Sequence, residues 1–170
     1  IYFRLKRKIL NILLKRFTSV YRPSSEPYIS GDTFRRFSDH IYDESKKFSP
    51  KRVKTNDIIF VKTELISSFF KNVNPYIESR YILISHNSDN EISSLEIKHM
   101  DKQIIHWFAQ NLNIKKGKGY SPLPIGIENL RYQTNGVLKD FNIQIPKQKK
   151  YYIASSFSVV TNDKIRKKVN

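Results

Sequence analysis

The sequence predicts an α/β chain: an open, parallel, doubly wound β-sheet with flanking helices, preceded by an amphipathic helix. Three observations carry that expectation. Apolar runs of strand length alternate with helical patterns or long crossovers, as parallel sheets require. Each run is followed at once by a cluster of polar residues, and in an open parallel sheet ligands bind beyond the carboxyl ends of the strands. The composition suits one buried core: 170 residues, 39% hydrophobic and 13% aromatic, with no internal repeat.

Residues 1–22, "IYFRLKRKILNILLKRFTSVYR", contain no acid. At helical spacing Tyr2, Leu5, Ile9, Leu13, Phe17 and Val20 share one face, with Arg4, Arg7, Lys8 and Lys15 opposite. No apolar run approaches the roughly 18 to 20 residues that cross a bilayer. A helix lying in the lipid interface fits, its four cations at the anionic membrane surface, and so does a helix docked on the body of the protein. Residues 23–55 form a connecting segment, with Pro23, Pro27 and Gly31 and a short helix around Phe34 to His40.

The α/β domain proper is expected over residues 56–170. It starts with a strand at about Asp57 to Val61, then a helix carrying Leu65, Ile66, Phe69 and Phe70 that stops before Pro75. A second strand covers Tyr81 to Ser85; "IIHWFAQN" and "YSPLPIGIENLRY" supply two more extended segments; a last strand runs from about Tyr151 to Val160. The chain opens on Ile1 and closes on "TNDKIRKKVN", which reads as a helix just starting, so truncation at the C-terminus is expected.

The strand ends supply the candidate site. His86, Asn87, Ser88 and Asp89 follow one run, Gln110 and Asn111 another, and Gly126, Glu128 and Asn129 a third. A turn explains any one cluster, because Asn, Ser and Asp bond their own backbone. Several on one sheet edge describe a cleft. His86 with Asp89 could act as a general base and its orienting partner. The amides of Asn87, Gln110 and Asn111 can both donate to and accept from hydroxyls, and Gly126 allows backbone to approach a ligand closely. Trp107 and Phe108 read as core.

Other chemistries lack their signatures. There is no GxGxxG, Walker loop, HExxH or GxSxG, and no Cys; the four His are scattered and no Asp-x-Asp occurs, so neither a metal nor a cofactor is expected. The formal charge of +16 calls for an anionic partner, and a nucleic-acid- or anion-binding module without catalysis is the alternative reading. The basic residues cluster in 1–22, "SPKRVK", "IKKGKG" and "PKQKK" and form no aromatic-interleaved stripe, which makes nucleic acid the weaker choice.

"SGDTFR", "VKTELISSFF", "YILISHNSDNEI", "WFAQN", "PLPIGIEN" and "SFSVVTNDKIR" occur in order over Ser30 to Arg166. Together they resemble the amino-terminal half of exostosin-like glycosyltransferases and related proteins of bacterial polysaccharide loci. The resemblance implies a Rossmann-like domain on the acceptor side of a two-domain enzyme. Such an enzyme moves a sugar from a nucleotide-sugar donor to a glycan or lipid-linked acceptor, and a carboxyl-terminal donor-binding domain would have to complete it. With the basic amphipathic segment, a cytoplasmic location peripheral to the inner face of the membrane is expected.

Overall fold

A computed structural model describes residues 22–45, 47–115 and 117–142. The expected amphipathic helix of residues 1–22 (except Arg22) and the strand near 151–160 lie outside the described residues. Five strands form one sheet: β1 (His40–Tyr42), β2 (Ile58–Lys62), β3 (Tyr81–His86), β4 (Ile104–Ala109) and β5 (Tyr120–Pro122). Every neighbouring pair is parallel, and the helices are α1 (Gly31–Phe37), α2 (Ile66–Asn72) and α3 (Ser94–Ile97). This is a Rossmann-like α/β fold.

Among the described residues the strand order is β1-β2-β3-β4-β5, with no reversal. The sheet is parallel as expected, but the expectation of double winding is corrected over this span. Right-handed crossovers that always step the same way place all connections on one face. The core shows that placement. Ile59, Val61, Leu83 and Trp107 point to one side, and against them pack Phe69 and Phe70 of α2, Val53 from the β1–β2 connection and Ile92 from the β3–β4 connection. Trp107 is fully buried, and its indole Nε1 donates to Ser85 Oγ at 2.9 Å. Phe60 and Ile84 are buried on the other face, where α1 brings the Phe34 ring to 5.4 Å from that of His86.

The connecting segment contains its expected short helix, α1, which ends at Phe37 and not at His40, and it also contributes the edge strand β1. Helix α1 begins three residues before the expected start because Ser30 caps it, its hydroxyl accepting from Thr33 N–H at 3.2 Å. Arg35 Nε donates to Asp43 Oδ2 at 2.7 Å and fastens α1 to the end of β1. Helix α2 follows a 3-10 turn at Thr63–Leu65 and ends before the Asn74–Tyr76 turn that holds Pro75, as the sequence predicts.

Candidate functional site

With no reversal of strand order, the crevice has a different origin from a switch point. Two segments rise beyond the carboxyl ends of the strands: residues 22–32, leading into α1, and residues 124–132, following β5. Their backbones meet where Ile127 N–H donates to Ile29 O at 2.9 Å. Gly126 makes this approach possible. Its φ is +73°, and a Cβ there would fall 2.2 Å from Ile29 O. Between the two segments and the sheet edge lies a cleft of about 790 Å³.

Of the residues singled out by the sequence, His86, Asn87, Ser88, Asp89, Gln110, Gly126, Glu128 and Asn129 line this cleft. Asn111 does not. It takes a left-handed φ of 54°, and its Nδ2 donates to Ser88 O at 3.2 Å, holding the turn after β3.

The hydrogen bonds separate the rest by what each side chain has left to offer. His86 is 2% exposed. Its Nδ1 accepts from Asn87 N–H at 2.8 Å, which leaves the proton on Nε2 to be donated to Pro124 O at 3.2 Å. Burial holds the imidazole below its ordinary pKa, against the opposing pull of the Pro124 carbonyl, the Asn87 contact and the Asp32 charge. His86 is thus neutral at pH 7, and both its nitrogens are engaged. Asp89 is exposed and forms no hydrogen bond or ion pair with His86 or with any other side chain among the described residues. The two residues share the cleft without forming a dyad.

Asn87 and Asn129 are consumed by a network beneath the cleft. Asn87, at a left-handed φ of 63°, donates from Nδ2 to Asp32 Oδ1 at 3.0 Å and accepts at Oδ1 from Asn129 Nδ2 at 2.9 Å. Asn129 Oδ1 accepts from Asp32 N–H at 2.6 Å. Asp32 is 0% exposed and sits between two arginines: Arg22 Nη1 at 3.6 Å and Arg131 Nε at 3.3 Å. The Arg131 contact is an ion pair poorly aligned for a hydrogen bond, so Asp32 Oδ2 and Arg131 Nε lack a hydrogen-bond partner among the described residues. Arg22 also pairs with Glu44, and Lys62 with Glu64 at 2.7 Å; the Glu64 hydrogen bond is the main reason Lys62 stays above its ordinary pKa. Gly31 is required here because a Cβ would fall 1.7 Å from Asn87 Oδ1.

Sequence reasoning missed Arg22, Asp32 and Arg131. Their partners are far away along the chain, and no local pattern joins Asp32 to Asn129 and Arg131; only the "SGDTFR" stretch pointed toward Asp32. Glu128 is also more structural than expected. Its Oε2 gathers the N–H groups of Thr134, Asn135 and Gly136 at 3.2, 2.6 and 3.2 Å.

Gln110 keeps an unspent group. Its Oε1 accepts from Asn87 N–H at 2.9 Å, while its Nε2 has no partner among the described residues. Gln110 and Asp89 can therefore act on a ligand without dismantling the wall. Three cationic side chains line the cleft (Arg22, Lys62 and Arg131) together with four carboxylates (Glu44, Glu64, Asp89 and Glu128), so the lining is not cationic despite the chain's formal charge of +16. Among the described residues no group of three or more His, Asp or Glu is placed to hold a metal ion, and no helix is long and apolar enough to cross a membrane. No protein-family model, curated protein or solved structure matches the chain.

Proposed function

We propose that this chain is the acceptor-side domain of a glycosyltransferase, its cleft receiving the sugar whose hydroxyl attacks a nucleotide-sugar donor. The observation that supports it is the cleft beyond the carboxyl edge of the sheet, where amide and carboxylate groups converge and opposite charges nearly balance. Neutral polyhydroxylated ligands are recognised by such mixed donors and acceptors. A nucleic-acid backbone wants a surplus of cations instead.

In this reading Asp89 takes the proton from the attacking hydroxyl, because it is the cleft carboxylate with no internal partner among the described residues. Gln110 Nε2 donates to a neighbouring hydroxyl. His86 holds the Pro124 wall in place and is not the base. The nucleotide-sugar is a substrate, held in this reading by a donor-binding domain that completes the enzyme.

The test is a titration of the isotopically labelled 170-residue chain with the methyl pyranosides of glucose, galactose, mannose and N-acetylglucosamine, followed by amide chemical shifts. Shifts at Asp89, Gln110 and Gly126 with one of these sugars are expected. If the same amides move only when a single-stranded oligonucleotide is added at physiological salt, the anion-binding alternative replaces the transferase reading.

A further inference from the structure

One aromatic side chain of the cleft is left half open to solvent. Tyr132 ends a 3-10 turn (Leu130–Tyr132), lines the cleft and is 53% exposed. Ile125, also a cleft residue, is exposed. Of the large hydrophobic side chains exposed among the described residues, these two are the ones that line the cleft.

The turn that carries Tyr132 is fixed from several directions. Tyr132 N–H donates to Asn129 O at 3.0 Å, and Gln133, at a left-handed φ of 53°, closes the turn with its N–H on Leu130 O at 3.2 Å. The Glu128 carboxylate gathers the next three N–H groups, and Arg131 is held at its base by buried Asp32. Arg131 also places its guanidinium carbon 4.7 Å from the centre of the Tyr132 ring and donates from Nη2 to the phenol oxygen at 2.9 Å. One ring face is thereby occupied. No aromatic ring among the described residues packs on Tyr132, and the residue as a whole is 53% exposed.

From this geometry we infer that Tyr132 is the stacking platform for the pyranose ring of the acceptor. The inference rests on the glycosyl-acceptor reading and names the residue that selects for a ring within it. The negative face of an aromatic ring attracts the slightly positive C–H groups on the less polar face of a pyranose. The hydroxyl edges of that sugar are then left for Gln110 and Asp89. Because the turn is already rigid, little ordering is required on binding. A nucleobase could use the same ring face. Its phosphate would meet a lining in which carboxylates outnumber cations, so the sugar is the better occupant.

The experiment compares the full chain with Tyr132→Ala and Tyr132→Phe. The probes are the same four methyl pyranosides and uridine monophosphate, read by saturation-transfer NMR and by dissociation constants. The parent and the Phe variant are expected to bind one pyranoside with similar affinity, with strongest transfer to the ring C–H protons. The Ala variant should bind it about two- to tenfold more weakly, the range of one aromatic contact, with its thermal midpoint close to the parent's. Equal binding by the Ala variant overturns the platform and leaves the glycan reading intact. Failure of the parent to bind any pyranoside overturns both. Binding of uridine monophosphate alone, lost in the Ala variant, overturns the sugar platform in favour of a base-stacking one.

Discussion

A histidine with a backbone donor at one nitrogen and a backbone acceptor at the other is fixed in a single tautomer, and His86 is in that position. Its consequence for stability has a definite sign. Burial lowers its pKa in the folded chain, so as pH falls through the unfolded-state value of about 6.5 the unfolded chain takes up a proton that the folded chain refuses. Stability should fall with acidification from there down to the folded-state value, at no more than about 1.4 kcal/mol per pH unit for this one proton. Asp43, Glu44, Asp57 and Glu96, held below their ordinary values in the fold, add a separate loss at lower pH, as carboxylates begin to protonate. Denaturant titrations at pH 7.5, 6.5 and 5.5 on the parent and His86→Gln check this. The parent should lose stability over that interval, and the variant, though less stable throughout, should lose less. Parallel curves would mean that His86 protonates as readily in the fold as in the unfolded chain.

Whether an element forms here depends on the crossover face. Phe69 is fully buried in α2 and meets Tyr42, Phe48, Phe70 and Tyr81 with ring centres 5.5 to 6.3 Å apart. It joins the edge strand to the middle of the sheet through one helix. Phe69→Ala should cost about 3–5 kcal/mol, read as a lowered denaturant midpoint, because so closed an aromatic cluster cannot collapse around the cavity. The neighbouring exposed Ser67→Ala should move the midpoint hardly at all. These elements were legible in the sequence because β2, α2, β3 and β4 are long enough to show a period. The three-residue β1 was not, since His40 to Tyr42 carry no alternation that distinguishes them from loop. Strand order was not legible either. The same apolar runs suit a doubly wound sheet or the sequential one, and only the packing of Val53, Phe69 and Ile92 on a single face separates them. The cleft was legible where strand ends are polar. Its floor was not, because Arg22, Asp32 and Arg131 are brought together by tertiary structure alone.

Over the whole molecule, charge and cleft are decoupled. A chain of formal charge +16 has a cleft whose charged lining is close to neutral, so the excess positive charge lies elsewhere on the chain. Residues 1–20, with six Lys and Arg and no acid, hold a disproportionate share of it; at helical spacing four of these cations lie opposite an aliphatic and aromatic face, and Lys6 and Arg16 break the pattern. Each such cation near an anionic leaflet contributes on the order of 1 kcal/mol, and insertion of the apolar face adds to it. We therefore expect the chain to co-sediment with vesicles containing phosphatidylserine, to bind neutral phosphatidylcholine vesicles far less, and to lose most of its binding when residues 1–20 are deleted. Raising the salt should weaken the electrostatic part and leave a residue of binding due to the inserted face. Equal binding by the deleted chain would assign the membrane surface to the basic loops around Lys51 and Lys115. Binding that salt abolishes completely would mean that the amphipathic segment contributes its charges alone, its apolar face being buried against the protein and not in the lipid.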